Sequence, residues 1–149
     1  MNSGHSVSFI IFAIHLPFKI FHMKARWISL LVDDQKKALK FYTEILGFMK
    51  KTDVPLGEHS WLTVVSKEEP GGVEVVLEPM GFAPAKVYQK ALKEAGIPLT
   101  MFHVDNVQNE FDRLAKLGVI FSMKPTQMGP STLAVFDDTC GNNIQLIQV

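Results

Sequence analysis

The chain repeats itself. Val32-Asp33-Asp34 recurs as Val104-Asp105-Asn106, 72 residues on (32 to 104), each time after an apolar run and before an amphipathic stretch. Leu39, Tyr42 and Leu46 follow the first copy and Gly47 closes it; Phe111, Leu114 and Leu117 follow the second and Gly118 closes it. A repeat of this period means that one supersecondary unit is used twice, so the fold is expected to carry approximate twofold symmetry.

Apolar residues three or four apart form a single stripe on a helix, which places one helix in each unit. Asp33 or Asp34, and Asp105 or Asn106, are the expected caps for its first-turn amides. Gly47 and Gly118 supply the left-handed stop. Around the helices, strands are expected over Trp27–Val32, Phe48–Asp53, Ser60–Ser66 and Val73–Glu78, and again over Leu99–Val104, Val119–Met123, Thr132–Phe136 and Asn143–Gln148. Val73–Glu78 aligns with the stretch from Ile144 to Gln148, putting Glu74 level with Gln145. Between the units Ala85–Ala95 reads as a connecting helix with Val87, Ala91 and Ala95 inward and Lys86, Lys90 and Lys93 outward, ended by Gly96. Loops at Pro79–Pro84 and Lys124–Pro130 are expected to border a cleft.

Fifteen basic residues balance fifteen acidic ones among 149, so no net field draws the chain to polyanions, and nucleic acid is not expected as a partner. With 47% hydrophobic residues the chain is long enough to bury a core without staples. A single cysteine, Cys140, excludes an internal disulfide framework and fits a cytoplasmic location. Residues 1–22 differ from the rest: Ser6–Phe21 is apolar but interrupted by His15, Pro17 and Lys19, too short and broken for a membrane span and without the features of a secretory signal. They are expected to be an extension, with one domain over 23–149 and modules over 25–80 and 98–149. Membrane association is expected only if that extension inserts.

The stretch VDDQKKALKFYTEILGF, its echo VDNVQNEFDRLAKLGV and the closing DDTCGNNIQL together resemble the vicinal-oxygen-chelate superfamily of glyoxalases, bleomycin-resistance proteins and extradiol dioxygenases. The resemblance covers residues 25–149. It implies an α+β fold of two tandem βαβββ modules forming a curved mixed sheet around a small-molecule cleft, and a homodimer. Family enzymes hold one divalent metal with a histidine on each module's first strand and a glutamate on each last strand. Carried over, those positions resemble Trp27, Glu74, Leu99 and Gln145, of which only Glu74 is a strong ligand. The expectation is therefore no metal and no cofactor, with a displaced divalent site on His103, Glu74, Glu78 and Gln145 as the competing reading.

Side chains alternate across a strand, so faces follow from sequence. Ile28, Leu30, Val32, Val73, Val75, Leu77, Phe102, Val104, Ile144 and Leu146 are expected beneath the helices. The opposite, cleft-facing set contains the expected ligand-binding residues Trp27, Ser29, Glu74, Val76, Leu99, Met101, His103 and Gln145, joined by Trp61. Phe82 and Met128 are further candidates for an aromatic and thioether lining. Glu74 is the candidate catalytic base, Glu78 the alternative at the rim. Cys140 sits in a turn with no activating base nearby and is expected to be a turn residue. Three functions follow: a metal-independent small-molecule binder for antibiotics or aromatic compounds, a glyoxalase- or dioxygenase-like enzyme with a divergent site, and a structural or regulatory dimer with a vestigial cleft.

Overall fold

The computed structural model describes residues 23–149; the expectations for residues 1–22 lie outside it. Strand β1 (Trp27–Val32) leads into helix α1 (Gln35–Lys40), which continues as one wider turn, Phe41–Ile45, where the Leu46 amide donates to the Phe41 carbonyl. Strands β2 (Met49–Leu56), β3 (His59–Val65) and β4 (Glu74–Pro79) complete the first module, and helix α2 (Ala83–Glu94) crosses to the second. There β5 (Thr100–His103), α3 (Val107–Lys116), β6 (Phe121–Met128), β7 (Ser131–Asp137) and β8 (Asn143–Gln148) repeat the pattern. Asp34 caps α1, accepting from the Lys36 and Lys37 amides, and Asn106 caps α3 through the Asn109 amide. Gly47 and Gly118 close the two helical segments at φ of 86° and 84°.

Each module forms a four-stranded mixed sheet: sheet A in the order β1-β4-β3-β2 and sheet B in the order β5-β8-β7-β6. In both, the first strand runs parallel to the last and the remainder is antiparallel. β2 and β6 run further than expected, through Pro55 and Pro125, because both are outermost strands, where a missing donor is tolerated, and both shift register along the way. The expected loop at Lys124–Pro130 is therefore mostly strand, turning only at Gly129-Pro130.

The back faces of both sheets and the helices lying on them share one core. Leu30, Val32, Leu62, Val64, Val75 and Leu77 of sheet A join Ala134, Phe136, Ile144 and Leu146 of sheet B, with Ala38, Phe41 and Tyr42 from the first helix and Val107 and Leu114 from α3. Aromatic contacts cross the module boundary: Phe41 meets Phe136, and Tyr42 and Phe48 both meet Phe102. Polar contacts cross it as well. The Tyr42 hydroxyl donates to buried Asp138 at 2.9 Å, and the Asn142 side-chain amide donates to the Leu31 carbonyl at 2.8 Å.

The connecting helix is turned relative to the sequence expectation. Val87 is 70% exposed and Ala91 and Ala95 are exposed, while Gln89 is buried. The Gln89 amide donates to the carbonyls of Leu31 and Cys140 and to the Asn142 side chain, joining both modules to α2. Acceptors buried at the junction need a donor, and this outweighs the burial of one valine and two alanines. Lys93, expected outward, pairs with Asp137 at 2.8 Å and reaches the Asn142 carbonyl. Gly141 is required beneath this seat: φ is +97°, and a Cβ would lie 2.6 Å from the Gln89 oxygen.

Candidate functional site

With both back faces turned to the shared core, the front faces of the two sheets point away from each other. Paired residues in a ladder share a face, so the registers list what each front face presents. On sheet A these are Trp27, Ser29, Leu31, His59, Trp61, Thr63, Val65, Glu74, Val76 and Glu78, with Thr52, Val54 and Leu56 on the outer strand. On sheet B they are Met101, His103, Leu133, Val135, Gln145 and Ile147, with Met123 and Met128. The nine expected ligand-binding residues divide accordingly: Trp27, Ser29, Trp61, Glu74 and Val76 on sheet A, and Leu99, Met101, His103 and Gln145 with sheet B. One chain brings each set together but does not face one set with the other.

Within sheet A, Trp27 and Trp61 stand edge to face, ring centroids 6.4 Å apart, and remain 54% and 37% exposed. Val76 and Thr63, paired across the ladder between them, are buried. Ser29 is exposed and donates weakly to Glu78 at 3.4 Å. Glu74 is 5% exposed and already occupied: Thr63 donates to one carboxylate oxygen at 2.7 Å, and the Arg26 guanidinium pairs with the other at 3.4 Å. Arg26 also donates to the carbonyls of Gly71 and Gly72, so Glu74 lies within a brace between β1, β3 and the loop before β4.

On the sheet B side, Met101 and His103 are exposed and Gln145 is half-buried. Leu99 departs from this face. It precedes β5, donates its amide to the Asn143 carbonyl and packs partly buried against the shared core. Phe82 is 71% exposed before α2, and Met128 is 55% exposed at the end of β6. A groove of about 850 Å³ does run along the junction, but it opens between the back faces, over Ile28, Phe48, Val75, Phe102 and Leu146. Of the nine residues only His103 lines it.

The ladders also test the metal reading. Taking β5 as the repeat of β1, Trp27 corresponds to Leu99, and Ser29 to Met101. Trp27 pairs with Glu74 and Ser29 with Val76, whereas Leu99 stands level with Asn143 and Met101 pairs with Gln145. The counterpart of Gln145 is thus Val76, and that of Glu74 is Asn143. The sequence alignment of the two last strands is two residues out, a shift that alternation cannot detect because it preserves every face. The four positions then hold Trp27 and Leu99 with either Glu74 and Asn143 or Val76 and Gln145, a donor set with at most one carboxylate, which does not fit a divalent cation. Among the described residues no three His, Cys, Asp or Glu side chains converge on a common point.

Cys140 is fully buried, and burial followed by the nearby Asp138 charge pushes its thiol up to about 12, the opposite of nucleophilic activation. No helix among the described residues is long and apolar enough to cross a membrane. Sequence reading missed Asp138, Gln89 and Asn142, whose roles depend on contacts between modules. The available signal was the polar density of Asp137-Asp138-Thr139 and Gly141-Asn142-Asn143 between two apolar strands.

This chain belongs to the Glyoxalase/Bleomycin resistance protein/Dioxygenase superfamily, whose family model matches residues 22–146. It is 52% identical over 126 residues to the uncharacterized protein YurT of Bacillus subtilis (strain 168), covering 85% of this chain and 99% of that protein. Among solved structures it resembles UcmS2, with 33% identity, a TM-score of 0.76 and coverage of 87% of this chain and 100% of that one. It also resembles TnmS3, an antibiotic binding protein from Streptomyces sp. CB03234, with 28% identity, a TM-score of 0.66 and coverage of 85% and 96%.

Proposed function

We propose that this protein binds a small, largely apolar or aromatic molecule, an antibiotic being the leading class, without a metal or cofactor. Its cleft forms when sheet A of one chain faces sheet B of a second copy in a homodimer. The observation that carries this reading is the outward orientation of two apolar front faces. Trp27, Trp61, Val54 and Leu56 are exposed on the one and Met101 and Met128 on the other, apolar side chains that a second copy would cover. Aromatic and thioether groups suit a flat ligand that is gripped from two sides. The structural likeness to an antibiotic binding protein supports the same reading. Glu74, held by Arg26 and Thr63, acts as a brace and not as a base.

The composite cleft has a distinctive test. One variant carries Trp27→Ala and Trp61→Ala, the other Met101→Glu and Gln145→Ala, and each alone is expected to lose binding of a ligand found by thermal-shift screening. After unfolding and refolding the two together, random pairing makes about half the dimers mixed, and each mixed dimer regains one intact cleft. About a quarter of the sites should therefore bind again, by the symmetry of a twofold pair. No recovery in a verified mixed dimer would overturn the shared cleft. Titration with Ni, Zn, Mn or Fe should leave the melting temperature unchanged, and a tight stoichiometric ion lost in Glu74→Gln would overturn the metal-free reading.

A further inference from the structure

We propose that the ligand carries a positive charge, a quaternary or protonated amine, seated against Trp27, Trp61 and Glu78. This rests on the cleft reading above and narrows it to one ligand chemistry. The two glutamates on the front face of sheet A differ in a way that sequence does not show. Glu74 is buried and has its counter-ion in Arg26. Glu78 is half-buried, accepts one long hydrogen bond from Ser29 at 3.4 Å, and forms no ion pair among the described residues. Its neighbours on that face are mostly aromatic and aliphatic, the polar exceptions being Ser29 and, one step beyond Trp61 on β3, His59. Leu31 pairs with it on β1, and Trp61 is the next front-face residue of β3 beyond the Thr63–Val76 pair. Trp27 then stands 6.4 Å from Trp61, their planes inclined by 70°. Two rings at this inclination present one π-face and one edge around a corner, with a carboxylate on the same side.

The front-face positions of β2 are Thr52, Val54 and Leu56, so no lysine or arginine of that strand neutralises Glu78 from this side. Covering the face with a second sheet removes water from the carboxylate, which is costly unless a cation accompanies it. An amine placed there meets both the carboxylate and the negative face of an indole, an attraction that strengthens on desolvation. Sheet B brings Met101, Met128 and Gln145 to its front face, groups that neither compete for the amine nor repel it, together with His103, an imidazole that does not repel the amine while neutral.

The chain contains two tryptophans, and both belong to this corner, so intrinsic fluorescence reports on the site directly. The full chain is titrated with benzyltrimethylammonium, benzyl alcohol and benzenesulfonate. The cation is expected to give a saturable change with an affinity about tenfold above the alcohol, and the sulfonate to bind more weakly than either. Glu78→Gln should bring the cation down to the level of the alcohol, and Glu78→Asp should restore part of the difference. Equal affinity for cation and alcohol, or a preference that survives Glu78→Gln, would overturn the charge assignment and leave the aromatic cleft standing. If none of the three binds, the cleft reading falls with it.

Discussion

Asp138 accepts four hydrogen bonds in a buried pocket: from the Tyr42 hydroxyl, from the Cys140 and Asn142 amides, and from the Asn142 side chain. Burial raises its carboxyl and these donors lower it, with burial prevailing. A raised acid keeps its proton more readily in the fold than in the open chain, so at this residue acidification towards 3.8 favours folding. Tyr42→Phe removes one donor from a buried charge and should cost about 1–3 kcal/mol in urea unfolding. An unchanged midpoint would show that water replaces the hydroxyl. Burial also pushes the Cys140 thiol up to about 12, so a thiol reagent at mildly alkaline pH should leave the native chain unmodified and react once denaturant is added. Sequence identified Cys140 as an unreactive turn residue because no base lies nearby. It did not single out Asp138, since the Tyr42 hydroxyl that meets it lies 96 residues away.

Elements were legible to the extent that their signals are local. Period-3.6 stripes and period-2 alternation located the helices and assigned strand faces, because each depends on residues a few positions apart. Helix α2 was turned the wrong way because a count of apolar residues cannot register the acceptors waiting at the module junction. Gln89→Leu should therefore destabilise the fold by about 1–3 kcal/mol although it adds apolar bulk, since the Asn142 side-chain oxygen loses its donor, the Cys140 carbonyl keeps only a long bond from the Asp33 amide, and the Leu31 carbonyl is left with Asn142 alone. A stabilised variant would refute that account of the seat. The cap of α1 titrates in the opposite sense to Asp138. The Lys37 amide is the main cause holding the Asp34 carboxyl below its ordinary 3.8. Its contribution is complete above 3.8 and disappears as pH falls through the lowered value. The difference in melting temperature between the wild type and Asp34→Ala should accordingly be constant near neutrality and narrow in acid.

At the scale of the molecule, the repeat announced the pseudo-twofold fold, and the superfamily followed from its motifs. What sequence could not supply was the pairing distance between β1 and β4 compared with that between β5 and β8. That difference is set by how each module's strands slide before they lock, and it moved the mate of Gln145 from Glu74 to Val76. Nor did it show that the chain spends both helix-bearing faces on its own interior. Eight of the nine expected contact residues are therefore divided between two surfaces looking in opposite directions, and Leu99 packs against the core.

In the proposed homodimer, back-to-back sheets would tie occupancy to abundance. A guest gripped by two subunits of that pair would help hold them together, and separating the pair would release two guests at once. Half-saturation should consequently drift upward as the protein is diluted below its self-association threshold, and a saturating guest should lower that threshold in return. Sequestration of this kind grows faster than linearly with the amount of protein made, so modest induction would yield a disproportionate gain in capture.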